Sequence, residues 1–509
     1  MPDFQGVQQS FGRYRLGKMD RWGARFLVSW FGWDSLKAEE LVARMGGFYG
    51  PLESRRNGPD RDPSLASSLS LRRDSMPQLQ IYGNDSSEQS SREVVITGVG
   101  MVSPIGIGRD AYWSSMIEGR SGVAPLTRFD TSTWPVKFGG EVHDFEPKKF
   151  VRPRKSLKVM SREIQFGFTA ADLAFVDAGL AEKSVDADRF GVVFGAEMMY
   201  CDLQEMVDAY QSCLGDNGQF DFSNWGSRAL GKMYPLWMLK YLPNMPACHI
   251  AIALDARGPN NSITLGEVSS LLAIAEATRV IERGQADLMV AGGTSTRLHA
   301  MNLVSHGDPL LSHRHDDPAG ACRPFDAGRD GLVSGEGAGA LVLESRESAE
   351  ARGANILARI AGHGNAFEPR RNGQALSGDA IGRSIQAALA EADLQSSDIG
   401  HVNAHGMSAI APDQLEAQAI RDAIGEVPVT APKSFFGHLG AGGGAVEMIA
   451  SVLAIQNDLV PVTLNYEQPD PACPVEVIRD QPLQGAKPSA LVLNQASTGQ
   501  AAALIITAP

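Results

Sequence analysis

Two histidines occupy glycine-bounded segments: His405 in Val402-Asn-Ala-His-Gly406 and His438 in Lys433-Ser-Phe-Phe-Gly-His-Leu-Gly440. Imidazole is the side chain whose ordinary titration lies nearest neutrality, so either could move a proton or stabilise developing negative charge. A lone histidine at the glycine-rich end of a strand is more often a packed structural residue, so neither segment is decisive by itself. Thiol chemistry has little to draw on. The five cysteines (Cys201, Cys213, Cys248, Cys322, Cys473) are scattered and form no C-x-x-C, so neither a disulfide framework nor a structural metal is expected. His306, His313, His315, Asp316 and Asp317 invite a metal reading. They fall in a loop, where no helix sets an i, i+4 ligand spacing, and no metal is expected there. The run from Lys148 to Lys158 carries six cations (Lys148, Lys149, Arg152, Arg154, Lys155 and Lys158) and no acidic residue. It is either a solvated surface stretch or a docking site for an acidic partner.

These side chains need a scaffold. The chain has 509 residues with a net charge of −13, 43% hydrophobic and 21% charged. At roughly 100–200 residues per domain, that allows two to four folding units or one large duplicated one. The acidic balance argues against nucleic acid as the main partner. No apolar run reaches the roughly 18 residues that a membrane span needs. The aromatic stretch Arg25–Trp33 is too short and interrupted for a signal peptide, so a cytoplasmic protein is expected. Residues 1–92 differ from the rest: they carry a net +2 against −15 for the remainder. From Ser54 to Arg92 there are ten serines and little apolar periodicity, a composition that buries too little surface to offset chain entropy. We read 1–92 as an N-terminal extension, mostly a disordered linker, with one or two short helices over 10–50 and Met76 as a candidate later start. From Glu93 onward, short apolar runs end in glycine and alternate with helical stretches. Val94–Gly100, Phe190–Gly195, Ala286–Gly293, Ala338–Glu344, His401–Gly406, Ala490–Asn494 and Ala501–Thr507 read as buried strands. Helices are expected over Val268–Arg283 and Ile381–Glu391. The alternation means an α/β protein, with two βα-rich halves, 93–345 and 346–509, consistent with a duplicated core.

Five segments in order resemble the β-ketoacyl-acyl-carrier-protein synthase family, elongating condensing enzymes of thiolase fold. They are Val94-Val-Ile-Thr-Gly-Val-Gly-Met-Val-Ser-Pro-Ile-Gly106, Glu118-Gly-Arg-Ser-Gly122, Arg323-Pro-Phe-Asp-Ala-Gly-Arg-Asp-Gly331 running into Gly335-Glu-Gly-Ala-Gly339, and the two histidine segments. The resemblance spans about residues 93–509 and implies a duplicated αβαβα layered fold with mixed five-stranded sheets. It also implies a thiol mechanism. A cysteine at a helix N-terminus takes the acyl chain, and two histidines help to decarboxylate malonyl-carrier protein and stabilise the enolate. His405 and His438 match those histidines and are expected to line one pocket. Lys433 matches the family's lysine, and Asp413 and Glu416 match the acidic pair after the first histidine, that glutamate helping to fix the lysine. The implied partners are an acyl carrier protein, which the basic run would dock, and a second subunit, as homodimer or heterodimer. No cofactor is implied.

The departures shape the expected function. Aligned from Gly258-Pro259 without a gap, the family's cysteine position is Glu267, and no cysteine lies between Cys248 and Cys322. Ser269 and Ser270 are hydroxyls two and three positions on, off the helix-start position. The family's glycine-rich gating loop with its phenylalanine is matched by Asn494-Gln-Ala-Ser-Thr-Gly-Gln500, and Met407-Ser-Ala409 keeps one hydroxyl of two. Glu267 is either an acidic residue in the first turn of a helix, filling a dead site, or a functional carboxylate favoured by the helix dipole. Two negative charges about 4 Å apart, at an effective dielectric near 20, repel by roughly 4 kcal/mol. An ionised Glu267 therefore opposes a malonyl carboxylate unless burial protonates it or an imidazolium, a protonated His405 or His438, offsets it. The expectation is a malonyl-carrier decarboxylase that does not condense; the alternative is a non-catalytic, chain-length-factor-like partner of an active ketosynthase.

Overall fold

The computed structural model describes residues 92–509, apart from 133, 135, 182–184, 307–309, 371–374 and the side chains of 304–306. The expected extension, its short helices and Met76 fall, but for Arg92, outside the described residues.

In chain order the positioning elements are β1 (Val94–Ser103), α1 (Arg162–Asp177), β2 (Phe190–Gly195), α2 (Met245–Leu254), β3 (Asn260–Ile263), α3 (Ser269–Glu282), β4 (Leu288–Thr296) and β5 (Glu336–Ser345). They continue with β6 (Ala358–Phe367), α4 (Asp379–Ala392), β7 (His401–Asn403), α5 (Ile410–Ile424), β8 (Pro428–Thr430), α6 (Gly443–Asn457), β9 (Glu476–Val477), β10 (Ser489–Gln495) and β11 (Gln500–Thr507). The sheet order is β9-β8-β7-β10-β11-β6-β1-β5-β4-β2-β3. Within it, β3-β2-β4-β5-β1 and β8-β7-β10-β11-β6 repeat one pattern: two parallel pairings, then two antiparallel ones. This is the duplicated pair of mixed five-stranded sheets. The two are continuous rather than separate, because Val94–Ile96 of β1 pair antiparallel with Ala358–Ile360 of β6.

The strands are apolar on both faces because both faces are covered. Side chains alternate between cores along each strand. Leu341, Leu343, Val492, Leu504 and Ile506 enter a central core with α3 and α6. Their neighbours Ala340 and Val342 join α1 in one outer core, and Leu491, Leu493, Ala503 and Ile505 join α4 and α5 in the other. Helix–sheet–helix–sheet–helix layering follows. The central position explains why α6 buries all but its last three residues, where an ordinary surface helix keeps one polar face.

Close approach explains two glycines of β1. A β-carbon on Gly100 would collide with the carbonyl of Ala170 and the amide of Ala174 on α1, and one on Gly98 with Ala174 and Ala178. Gly100→Ala is expected to push α1 off the sheet at a cost of about 1–3 kcal/mol or more, read as a lowered thermal midpoint.

Candidate active site

Chain turns at the C-terminal ends of β2, β4 and β7 and the N-terminal turns of α3 and α6 bring the chemistry-bearing side chains together. Glu267 sits in the 3-10 turn Gly266–Val268 that opens α3, entered through Gly266 at φ 60. His405 lies two residues beyond β7. Lys433 starts the helical turn Lys433–Phe436, and His438 follows it, two residues before the turn Gly440–Gly442 that leads into α6. His405, His438 and Lys433 are 1–2% exposed and Glu267 is 8% exposed.

Hydrogen bonds fix both imidazole tautomers. His405 Nδ1 faces two donors, Lys433 Nζ at 3.0 Å and Asn494 Nδ2 at 3.2 Å. An ammonium has no acceptor, so Nδ1 accepts and the proton resides on Nε2. His438 Nδ1 accepts from the Gly440 N–H at 3.0 Å, which likewise leaves the proton of the neutral ring on Nε2. The rings meet edge to face with centroids 5.5 Å apart. Burial holds the His405 imidazole well below the usual histidine range, with the charges of Lys433 and Arg297 adding to it. His405 is therefore a neutral N–H donor, and its Nε2 has no hydrogen-bond partner among the described residues.

Lys433 is held differently from the expectation. Its carboxylate partner is Glu447, on the first turns of α6, at 2.6 Å. Asn494 Nδ2 also donates to Glu447 Oε2 at 2.8 Å, which closes a buried Lys433–Glu447–Asn494–His405 network. Glu416 instead accepts the backbone N–H groups of His405 (2.7 Å) and Gly406 (2.8 Å). Asp413 does the same for Met407 (2.8 Å) and Phe325 (2.9 Å). These two acids shape the loop that carries His405; they do not anchor the lysine. Sequence reasoning missed Glu447 and Asn494. The signal for Glu447 was a single acidic residue within the apolar run Gly443–Ile455.

Burial pushes the Glu416 carboxyl up to about 7, against the Gly406 N–H that it accepts, and Asp413 up to about 6. A carboxyl raised in the folded state contributes stability that is fully present below its ordinary value of 4.5 and is lost as pH rises through about 7. Glu416→Gln lacks that titration. Its stability relative to the parent is expected to rise across that window, and thermal unfolding of both proteins at matched pH values checks it.

Glu267 is offset by a cation absent from the sequence-based reading. Arg297, immediately after β4, places Nη2 2.9 Å from Glu267 Oε1 and 3.1 Å from Glu197 Oε2. Burial opposes the Arg297 charge, but Glu197 and Glu267 outweigh it and hold the guanidinium protonated. His438 Nε2 is 4.0 Å from Glu267 Oε1. Neither serine is placed for attack. Ser269 Oγ donates to Gly266 O at 2.6 Å and accepts from Leu265 N, and Ser270 Oγ accepts from Ala445 N at 3.1 Å. Burial pushes the Cys322 thiol up to about 12, and its Sγ donates to Lys433 O.

The basic run lies away from these buried groups, at the surface. Lys148, Lys149, Arg152, Arg154, Lys155 and Lys158 are all exposed. Two have acidic partners from outside the run: Lys149 pairs with Glu146 at 2.8 Å, and Arg152 pairs with Asp172. In the other cluster, His315 packs edge-on against Phe138, Asp317 Oδ1 accepts the Gly320 N–H, and the side chain of His306 lies outside the described ones. Among the described residues no helix is long and apolar enough to cross a membrane.

Residues 91–349 match the family model for the beta-ketoacyl synthase N-terminal domain, and residues 357–467 that for the C-terminal domain. The 3-oxoacyl-(acyl-carrier-protein) synthase 2 of Synechocystis sp. is 37% identical over 396 residues, 77% of this chain and 92% of the relative. That of Vibrio harveyi is 34% identical over 398 residues, 76% and 92%. Among solved structures, a beta-ketoacyl synthase from Burkholderia phymatum superimposes with TM-score 0.73 at 30% identity, covering 82% of this chain and all of the other. The ishigamide ketosynthase/chain length factor gives 0.70, also at 30% identity and the same coverage. With both family models matched in order, the second spanning the paired histidines, this chain belongs to the beta-ketoacyl synthase family.

Proposed function

We propose that this chain binds malonyl-carrier protein and decarboxylates it to the acetyl form without making a carbon–carbon bond. The observation that carries the reading is the pair of imidazoles whose tautomers each present an Nε2 proton. A thioester carbonyl oxygen between them would accept both bonds. As the bond to the carboxylate breaks, its electron pair moves onto that oxygen, CO2 leaves and the enolate is held by the two donors. A proton from solvent then completes the acetyl group. Condensation needs a nucleophile as well. The thiol position aligns with Glu267, no cysteine lies between Cys248 and Cys322, and Ser269 and Ser270 are bonded to the backbone. Arg297 offsets the Glu267 carboxylate that would otherwise repel the substrate. Lys148, Arg154, Lys155 and Lys158 supply a cationic surface for an acidic carrier protein, acting on its rate of encounter. The reaction requires no cofactor and suits a cytoplasmic enzyme. Intact-mass spectrometry of malonyl-carrier protein incubated with the purified chain tests it: the carrier is expected to lose the mass of one CO2, and an unchanged carrier refutes the reading.

The second reading is a non-catalytic partner of a cysteine-bearing ketosynthase. The ion pair at Glu267 and the likeness to the ishigamide ketosynthase/chain length factor favour it. Strand β3 is a sheet edge with Asn260 and Asn261 exposed, which suits assembly as a homodimer or heterodimer. Native mass spectrometry of the chain co-expressed with an intact ketosynthase separates the two: an obligate heterodimer supports the partner role.

A further inference from the structure

We propose that Arg297 sets the acyl-chain length this site accepts: the largely buried array Glu197–Arg297–Glu267 excludes acyl groups longer than about the malonyl or acetyl unit. The inference rests on the carrier-linked acyl reading above and names the substrate class of that same site. Arg297 comes from the end of β4, Glu197 from the residues after β2, and Glu267 from the turn before α3. The Arg297 side chain is 6% exposed and bridges the two carboxylates at 2.9 and 3.1 Å. Ser295 Oγ donates to Glu197 from the same strand end. The loop after His438 walls the array in, since a β-carbon on Gly440 would lie 2.6 Å from Ser295 Oγ and 3.0 Å from Arg297 Nε.

A thioester carbonyl held by the two Nε2 protons puts the acyl group beside Glu267, which is 4.0 Å from His438 Nε2 and hydrogen-bonded to Arg297 Nη2 at 2.9 Å. A methylene chain gains affinity only by leaving water for an apolar surrounding. Here it meets three charged groups whose compensation is mutual, and it supplies no hydrogen bond in exchange. A second feature agrees. The β10–β11 connection is a tight turn, closed by Ala496 N–H to Gln500 O at 2.8 Å and Gly499 N–H to Ala496 O at 2.9 Å. That turn leaves no long segment there to swing aside for a chain.

Binding of hydrolysis-resistant amide probes tests this without requiring turnover. Acetyl, octanoyl and dodecanoyl amides are prepared both on the carrier protein and on free pantetheine, and titrated against the full chain. The octanoyl and dodecanoyl probes are expected to bind the parent protein at least about tenfold more weakly than the acetyl probe, because the longer chains meet the charged array instead of an apolar surface. In Arg297→Ala/Glu267→Ala the dodecanoyl probe is expected to bind at least about tenfold tighter than the acetyl probe. Arg297→Met/Glu267→Gln, which removes the Arg297 and Glu267 charges while keeping most of the volume, is expected to show the same order for the octanoyl probe and serves if the first variant does not fold. Parent protein that binds the octanoyl or dodecanoyl probe as tightly as the acetyl probe overturns the inference, as does a folded variant in which the longer probes gain nothing over acetyl. Failure of every carrier-bound probe overturns the carrier reading instead, and the pantetheine amides then decide the inference alone.

Discussion

His405→Ala is expected to lower malonyl-carrier decarboxylation by about 10²–10³-fold, the usual cost of removing one preorganised donor to a developing oxyanion. His438→Ala is expected to fall in the same range, because each ring contributes one Nε2 proton. The effect is expected in kcat rather than KM, since the bonds strengthen as charge moves onto the oxygen. The double variant is expected to lose little beyond the worse single one, as groups that act as a unit are not additive. His405 stays neutral well below the usual histidine range because it is buried beside Lys433 and Arg297. Its state therefore does not change through neutral pH, and no rate change near the ordinary histidine pKa belongs to it. Steady-state measurement of CO2 release by the two single variants and the parent checks these outcomes. A single variant with undiminished kcat contradicts the role of that ring.

Arg297→Met is expected to destabilise the folded chain by about 3–5 kcal/mol, the scale for removing one partner of a buried ion pair. The loss leaves Glu267 and Glu197 as two buried or half-buried carboxylates with no shared cation. Glu267→Gln in the same chain removes one of those charges. Arg297→Met/Glu267→Gln is therefore expected to recover much of the loss, which packing alone would not produce. Thermal midpoints of the parent, both single variants and the double variant form the cycle. Additive losses, with no recovery in the double variant, would contradict the pairing.

Much of the scaffold is legible in the sequence, for a physical reason. A strand covered on both faces must be apolar at every position, and glycine ends it where the chain turns or a helix packs closely. Phe190–Gly195 carries that pattern and Ala490–Asn494 its apolar part, and both are strands in the structure; the expected helix Val268–Arg283 is observed over Ser269–Glu282. The join between the two sheets was not legible, because three residue pairs between β1 and β6 leave no mark on either strand's periodicity. The paired histidines announced themselves through their segments. Their supporting charges did not. Glu267 and Arg297 are 30 residues apart, and Glu197 and Arg297 are 100 apart; only the parallel order of β4 beside β2, with the turn before α3, brings them together. The lysine's partner was misassigned for a related reason. Glu416 is close to His405 in sequence, but its carboxylate is used up by two backbone amides. Glu447 reaches Lys433 from a different element, the buried helix α6.

In the proposed reaction the malonyl carbon–carbon bond breaks with no covalent acyl-protein intermediate. The most direct measurement is intact-mass spectrometry of both proteins after malonyl-carrier protein and the purified chain are mixed in D2O. After labile sites are back-exchanged in H2O, the carrier-bound group is expected to have lost CO2 and to be acetyl bearing one carbon-bound deuterium, while this chain carries no added acyl mass. An acyl adduct on this chain, or a carrier protein that keeps its malonyl group, would contradict the claim.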